Sequence, residues 1–221
     1  MTTYGEEAAQ MIDSSVKFYF AKILQQYRVV SERELQDATF FFMEFIEHCN
    51  SNDQMMIYEL CTQYADLTMW SKPEMMDVRQ NTVYGIGVMS KHLSVNAFKS
   101  LLANSMKAVE HVLSNPEAGS EEQRCVTENA YVTLARLALV HSKDAAHVNK
   151  FLAALPLQGD EEAQEAHQFL FEQVLSGNSV LLGACKESML KAVMAIKTAH
   201  SSNDGILTEE GVELMNKVLA M

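Results

Sequence analysis

The sequence predicts an all-α protein, a superhelix built from about five stacked helical hairpins. Only three prolines and nine glycines occur in 221 residues, while Met, Ala, Leu, Glu and Gln are plentiful, a balance that favours helix over strand. No segment shows the Val/Ile/Thr alternation, bounded by turns, that marks a strand. Apolar residues recur instead at three- and four-residue spacing, and the segments that carry them come in pairs that repeat along the chain.

Helices are expected over about 5–28 and 32–49. The second carries Leu35, Ala38, Phe41, Phe42, Phe45 and Ile46 on one face, so its "FFMEF" stretch reads as core. A third helix over about 53–70, ending in Trp70 as a further core residue, stops before Pro73, which disfavours helix at the residue preceding it. The fourth is "DVRQNTVYGIGVMSKHL", residues 77–93. Val78, Thr82, Ile86, Met89 and Leu93 form its stripe, and Asp77 stands where it can cap the first free amides. Gly85 and Gly87 interrupt it at about 0.5 to 1 kcal/mol each relative to Ala. The missing Cβ atoms point to a neighbouring helix that approaches closely.

A helix over about 95–114 follows, then the break "NPEAGS", and a helix over about 121–142 that opens with Glu121 and Glu122. The next pair covers about 145–155 and 160–176, separated by "LPLQG". The last covers about 184–200 and 208–220, with Thr208 as cap and Glu209 and Glu210 facing the positive helix end. The second helices begin near residues 32, 78, 121, 160 and 208, intervals of roughly 40 to 48 residues, the period of HEAT or armadillo arrays. The expected organisation is one solenoid segment, 1–221, with hairpins over 5–50, 53–93, 95–142, 145–177 and 184–221.

A net charge of −12, from 29 acidic and 17 basic residues, opposes binding to nucleic acid or an anionic membrane and suits a basic partner. Cys49, Cys61, Cys125 and Cys185 stand far apart, without a CxxC pair or an Asn-x-Ser/Thr acceptor. This fits a reducing compartment, and Cys61, Cys125 and Cys185 are expected as buried thiols. The start is polar and acidic, unlike a signal peptide, and no apolar run reaches the roughly 20 residues that span a bilayer. A soluble, intracellular protein is expected. "YGIG" lacks the preceding strand and the GxGxxG or GxxxxGK spacing of a phosphate loop. His48 beside Cys49, and His141 with His147 at i, i+6, do not have metal-ligand spacing. The acids of "SEEQR" and "DEEAQE" stand at helix starts, where the helix dipole is sufficient reason for them. No catalytic residue, cofactor or metal is expected.

Four strings carry a resemblance: "MMDVRQNTVYGIGVMSKHL" (75–93), "RCVTENAYVTLARLAL" (124–139), "VNKFLAALPLQGDEEAQEAHQFLFEQVLSGNSVLLG" (148–183) and "EHC" (47–49). Together they resemble the importin-beta (karyopherin-beta) family of nuclear transport receptors, closest to the beta-3 branch, over about residues 35–185. The resemblance implies the C-terminal HEAT-repeat part of a much longer receptor. Such a receptor wraps protein cargo with basic localisation signals, is regulated by the GTPase Ran, meets Phe-Gly nucleoporins and shuttles between cytoplasm and nucleus. In that arrangement the second helices line the inner side, which makes Arg79, Asn81, Glu128, Asn129, Glu161 and Glu165 the candidate partner-binding residues. Arg79 matches the family's hairpin arginine and has a rival role, bridging successive hairpins. The alternative is a HEAT scaffold unrelated to transport.

Overall fold

A computed structural model describes residues 76–159, 161–202 and 204–221, together with 31, 33, 34, 36, 37 and 40. The helices expected over 5–28 and 53–70, most of the one over 32–49, the Phe41 to Ile46 stripe, Trp70, His48, Cys49 and Cys61 lie outside the described residues.

Among the described residues there are nine α-helices and no strand. They are α1 (Met76–His92), α2 (Val95–Phe98), α3 (Leu102–Leu113), α4 (Arg124–Arg136), α5 (Ala145–Ala154), α6 (Glu161–Leu175), α7 (Ser179–Leu182), α8 (Lys186–His200) and α9 (Glu209–Leu219). A π-helix (Leu137–Ser142) continues α4, and a 3-10 turn (Asp204–Ile206) precedes α9. The fold is an all-α helical solenoid. It divides into two compact units, residues 1–118 and 119–221.

In the first unit, Ser31 and Glu34 form a reciprocal capping box. Glu34 Oε2 accepts from the Ser31 amide at 2.8 Å, and Ser31 Oγ accepts from the Glu34 amide at 3.3 Å. A helix therefore starts where the sequence predicts one near residue 32. Further on, α1 packs on α3. All five stripe residues of α1 are buried, and so are Val83, Val88, Gly85 and Gly87, so this helix is covered on more than one face. Thr82 and Ser90 satisfy their hydroxyls within the helix, donating to Val78 O at 2.8 Å and Gly87 O at 2.7 Å. Asp77 is not the cap: it lies in the first turn, where its carboxylate accepts from Gln36 Nε2 at 2.7 Å.

The single helix expected over 95–114 is two helices. Ser94 caps α2 by accepting from the Ala97 amide at 3.2 Å, and the chain turns through residues 99–101 before α3. Phe98, Leu101, Ser105, Ala108 and Val112 are all buried. Their spacing runs unbroken across the kink, so periodicity alone shows a continuous helix.

The second unit has two layers. In one, α6 lies between α4 and α9; in the other, α5 packs beside α8, and α5 also rests on α4. Phe151, Leu134, Leu137, Leu170 and Phe171 fill the space between them. Asp144 caps α5, its Oδ1 accepting from the Ala146 amide at 2.7 Å, and Thr208 caps α9 as expected, its Oγ1 accepting from the Gly211 amide at 3.0 Å. The helix expected from Glu121 begins only at Arg124; Glu121 lies in the preceding turn and pairs with Arg124 across 2.6 Å in solvent, a contact worth little. The π-helix ends at Lys143, which is left-handed with φ 52°. Asn178 serves two elements, capping α7 through Oδ1 and donating from Nδ2 to the π-helix carbonyl of Leu139 at 3.1 Å. Of the thiols expected to be buried, Cys185 is, but Cys125 is exposed. Residue 125 sits in the first turn of α4, one position short of the buried stripe that begins at Val126.

Replacing Phe171 with Ala should cost about 3 to 5 kcal/mol of unfolding free energy. Replacing the half-exposed Met194 with Ala should cost less than about 0.5 kcal/mol. Urea titration of both variants checks the pair.

Candidate functional site

Three of the six candidate residues are buried: Arg79 at 3%, Asn129 at 2% and Glu128 at 8% exposure. Arg79 belongs to the first unit, and burial lowers its pKa from the ordinary value. Asn81, beside it on α1, is half-buried. The other four belong to the second unit, where α4 faces α6.

There Glu128, Asn129 and Glu165 form a polar seam, with Glu161 at its edge. The Glu128 carboxylate accepts from the Gln158 amide at 2.8 Å and from the Gly159 amide at 2.5 Å, holding the segment between α5 and α6 against α4. A Cβ on Gly159 would fall on the Glu128 carboxylate, which explains a glycine at this position. Asn129 Nδ2 donates to Cys125 O at 2.9 Å and reaches Glu162 Oε1 at 3.5 Å. Glu165 pairs with Arg136, whose side chain is almost wholly enclosed. Glu161, in the first turn of α6, is exposed. A buried guanidinium stripped of its carboxylate is costly, so Glu165 is committed to Arg136 before any partner arrives.

The residue that joins this seam to the last hairpin was not among the candidates. His167, on α6, is fully buried. Its Nε2 accepts from the Leu157 amide at 3.1 Å and its Nδ1 lies 3.1 Å from Ile206 O. An amide can only donate and a carbonyl can only accept, so the proton is on Nδ1 and the ring is neutral. Gln164, one turn earlier, donates to Gly205 O at 2.7 Å. A signal was present in the sequence: Ala163, Ala166, His167, Leu170, Phe171 and Val174 share one helix face, and a histidine in such a stripe needs partners for both nitrogens.

On the other layer, α5 and α8 leave a groove of about 290 Å³. Leu152, Ala153, Leu155, Ala192 and Ala195 give it apolar walls, and Asn149, Ser188 and Lys191 are its polar lining. The Asn149 Oδ1 atom is buried and has no hydrogen-bond partner among the described residues. Lys191 is held by Glu187, one turn away at 2.6 Å in solvent.

Among the described residues no group of His, Cys, Asp and Glu is placed to hold a metal ion. His147 lies 3.5 Å from the Asp144 carboxylate that caps its own helix. No helix among the described residues is long and apolar enough to cross a membrane.

The chain is similar to importin subunit beta-3 of Saccharomyces cerevisiae, with 25% identity over 146 residues. The match covers 64% of this chain and 13% of that protein, so the chain spans a small part of the curated relative's length. No family model matches the chain, and no solved structure matches it significantly. The similarity supports, at this distance, a relationship to the importin-beta family.

Burial pushes the His167 pKa down to about 4 from the ordinary 6.5, against the opposing pull of the Ile206 carbonyl. A depressed folded pKa stabilises the fold above the unfolded value, and that contribution is lost as pH falls. Unfolding free energy should therefore drop by roughly 3 kcal/mol between pH 6.5 and pH 4. The His167→Gln variant should be less stable at neutral pH and lack this slope. Urea midpoints measured across that pH range check both expectations.

Proposed function

We propose that this chain is part of a nuclear transport receptor of the importin-beta kind. It would bind protein cargo non-covalently and move it between cytoplasm and nucleus under the control of Ran-GTP. The observation that carries this reading is the similarity to importin subunit beta-3 over 146 residues, in a chain folded as the stacked helices such a receptor needs. The net charge of −12 supports basic localisation signals as cargo, since opposite charge speeds encounter and discriminates between partners. Exposed Glu161, at the start of α6, is the seam residue best placed to meet such a cargo. Glu128, Asn129 and Glu165 act indirectly, by fixing the surface from which it projects.

In this reading the groove between α5 and α8 is the docking place for the Phe-Gly segments of nucleoporins. Its apolar walls fit an aromatic ring, and the Asn149 oxygen, without a partner among the described residues, is available to a backbone amide of the incoming peptide. Conformational change rather than bond chemistry does the work: partners select among curvatures of a stack whose hairpins contact only their neighbours. No residue of the chain is assigned a catalytic role.

Pull-down of the full-length natural product with Ran-GTP and with a Phe-Gly repeat peptide tests the reading. Capture of both, at nanomolar to micromolar affinity, is the expected result. Ala153→Glu, at an exposed wall of the groove, should weaken Phe-Gly capture by this segment at least about tenfold, because it puts an unpaired charge where an apolar ring must seat. Retention of neither partner would leave a scaffold unrelated to transport.

A further inference from the structure

We propose that His167 makes the segments 155–159 and 204–207 open as a single unit, so that a pull on one is transmitted to the other through the imidazole. The inference rests on the fold of residues 119–221 and not on the transport reading.

The chemistry of the ring imposes the coupling. The Leu157 amide can donate to Nε2 only while the ring proton is on Nδ1, and that proton is held by Ile206 O. If segment 204–207 lifts away, the Nδ1 proton is left in a buried site without an acceptor. The ring then turns toward another acceptor for that proton, and turning withdraws the Nε2 lone pair from the Leu157 amide. The reverse path is equally direct. If segment 155–159 lifts, Nε2 loses its donor and the ring is held by one bond only, so its turning toward a new donor draws the Nδ1 proton away from Ile206 O.

The connection extends beyond the ring at both ends. Segment 155–159 is also tied to α4 by the two amides on Glu128, and segment 204–207 to α6 by Gln164. Hydrogen bonds thus run without a gap from α4, through one interhelical segment, across α6 at His167, to the segment that leads into α9. Three neighbouring helices of one layer share a relay that passes through a single side chain. Apolar packing alone would not impose this dependence, since a lifted loop leaves the rest of an apolar contact in place.

Amide hydrogen exchange resolved to single residues tests this on the full chain. Ile206→Ala weakens the seating of segment 204–207 from the core side. Gln164→Ala weakens it from the solvent side and does not touch the core, so it remains informative if the first variant unfolds. In each, exchange at residues 205–207 and at the Leu157 amide should rise together by about tenfold, the effect of one hydrogen bond of ordinary net strength. The amide of Ala135, inside α4, should keep its rate. In the opposite direction, Glu128→Gln should quicken residues 205–207 along with residues 157–159, as reciprocity requires. Faster exchange at 205–207 with Leu157 unchanged overturns the proposal, as does no change at either segment. Equal acceleration at Ala135 also overturns it, because the segments would then open only with the whole fold.

Discussion

The imidazole of His167 has two ring nitrogens, and the fold gives each one a backbone partner from a different interhelical segment. A buried histidine with one nitrogen unmatched would cost more than the apolar side chain it displaces, so the site holds only while both segments are seated. Placing the two segments correctly sets where α5 hands over to α6 and where α8 hands over to α9. The helix that carries the imidazole, α6, itself packs between α4 and α9. Glu128 and Gln164 brace the same segments from either side, and Gly159 lets the first come close enough to be braced.

Much of the fold was legible in the sequence because helix signals are local. The scarcity of Pro and Gly, the apolar stripes, and caps such as Thr208 each state a property of a few consecutive residues. The splitting of the 95–114 helix was not legible, since Phe98, Leu101 and Ser105 keep helical spacing across the kink and no Gly or Pro marks it. The π-helical end of α4 was hidden for a related reason, because Leu137–Ser142 contains no Gly or Pro to mark the shift in hydrogen-bond register. Cys125 read as buried from its apolar neighbours, yet which face a residue takes depends on where the helix starts.

The polarity of the candidate residues was legible in the sequence, and the contacts they make were not. Reading Glu128, Asn129 and Glu165 as exposed acceptors for a partner follows from their polarity and from their position on the second helices of hairpins. What polarity cannot reveal is that neighbouring helices bring their own needs: two unsatisfied amides between α5 and α6, and the guanidinium of Arg136. These tertiary demands take the carboxylates of Glu128 and Glu165 before solvent can, while Asn129 is taken by the Cys125 carbonyl and Glu162, so all three become parts of the scaffold. His167 and Arg136 were missed because their partners stand 10 to 39 positions away in sequence, beyond the reach of any local pattern. The seam leaves Glu161 exposed on one layer, and the other layer carries the groove between α5 and α8.

The ring nitrogens themselves report on this arrangement. A 15N NMR spectrum of the imidazole at neutral pH should show His167 as a neutral ring with a protonated Nδ1 and a bare, hydrogen-bonded Nε2, resonating apart from the averaged signals of exposed histidines. A protonated Nε2, a charged ring, or a ring averaging rapidly between tautomers would contradict the account, because none of these can accept from Leu157 and donate to Ile206 at once.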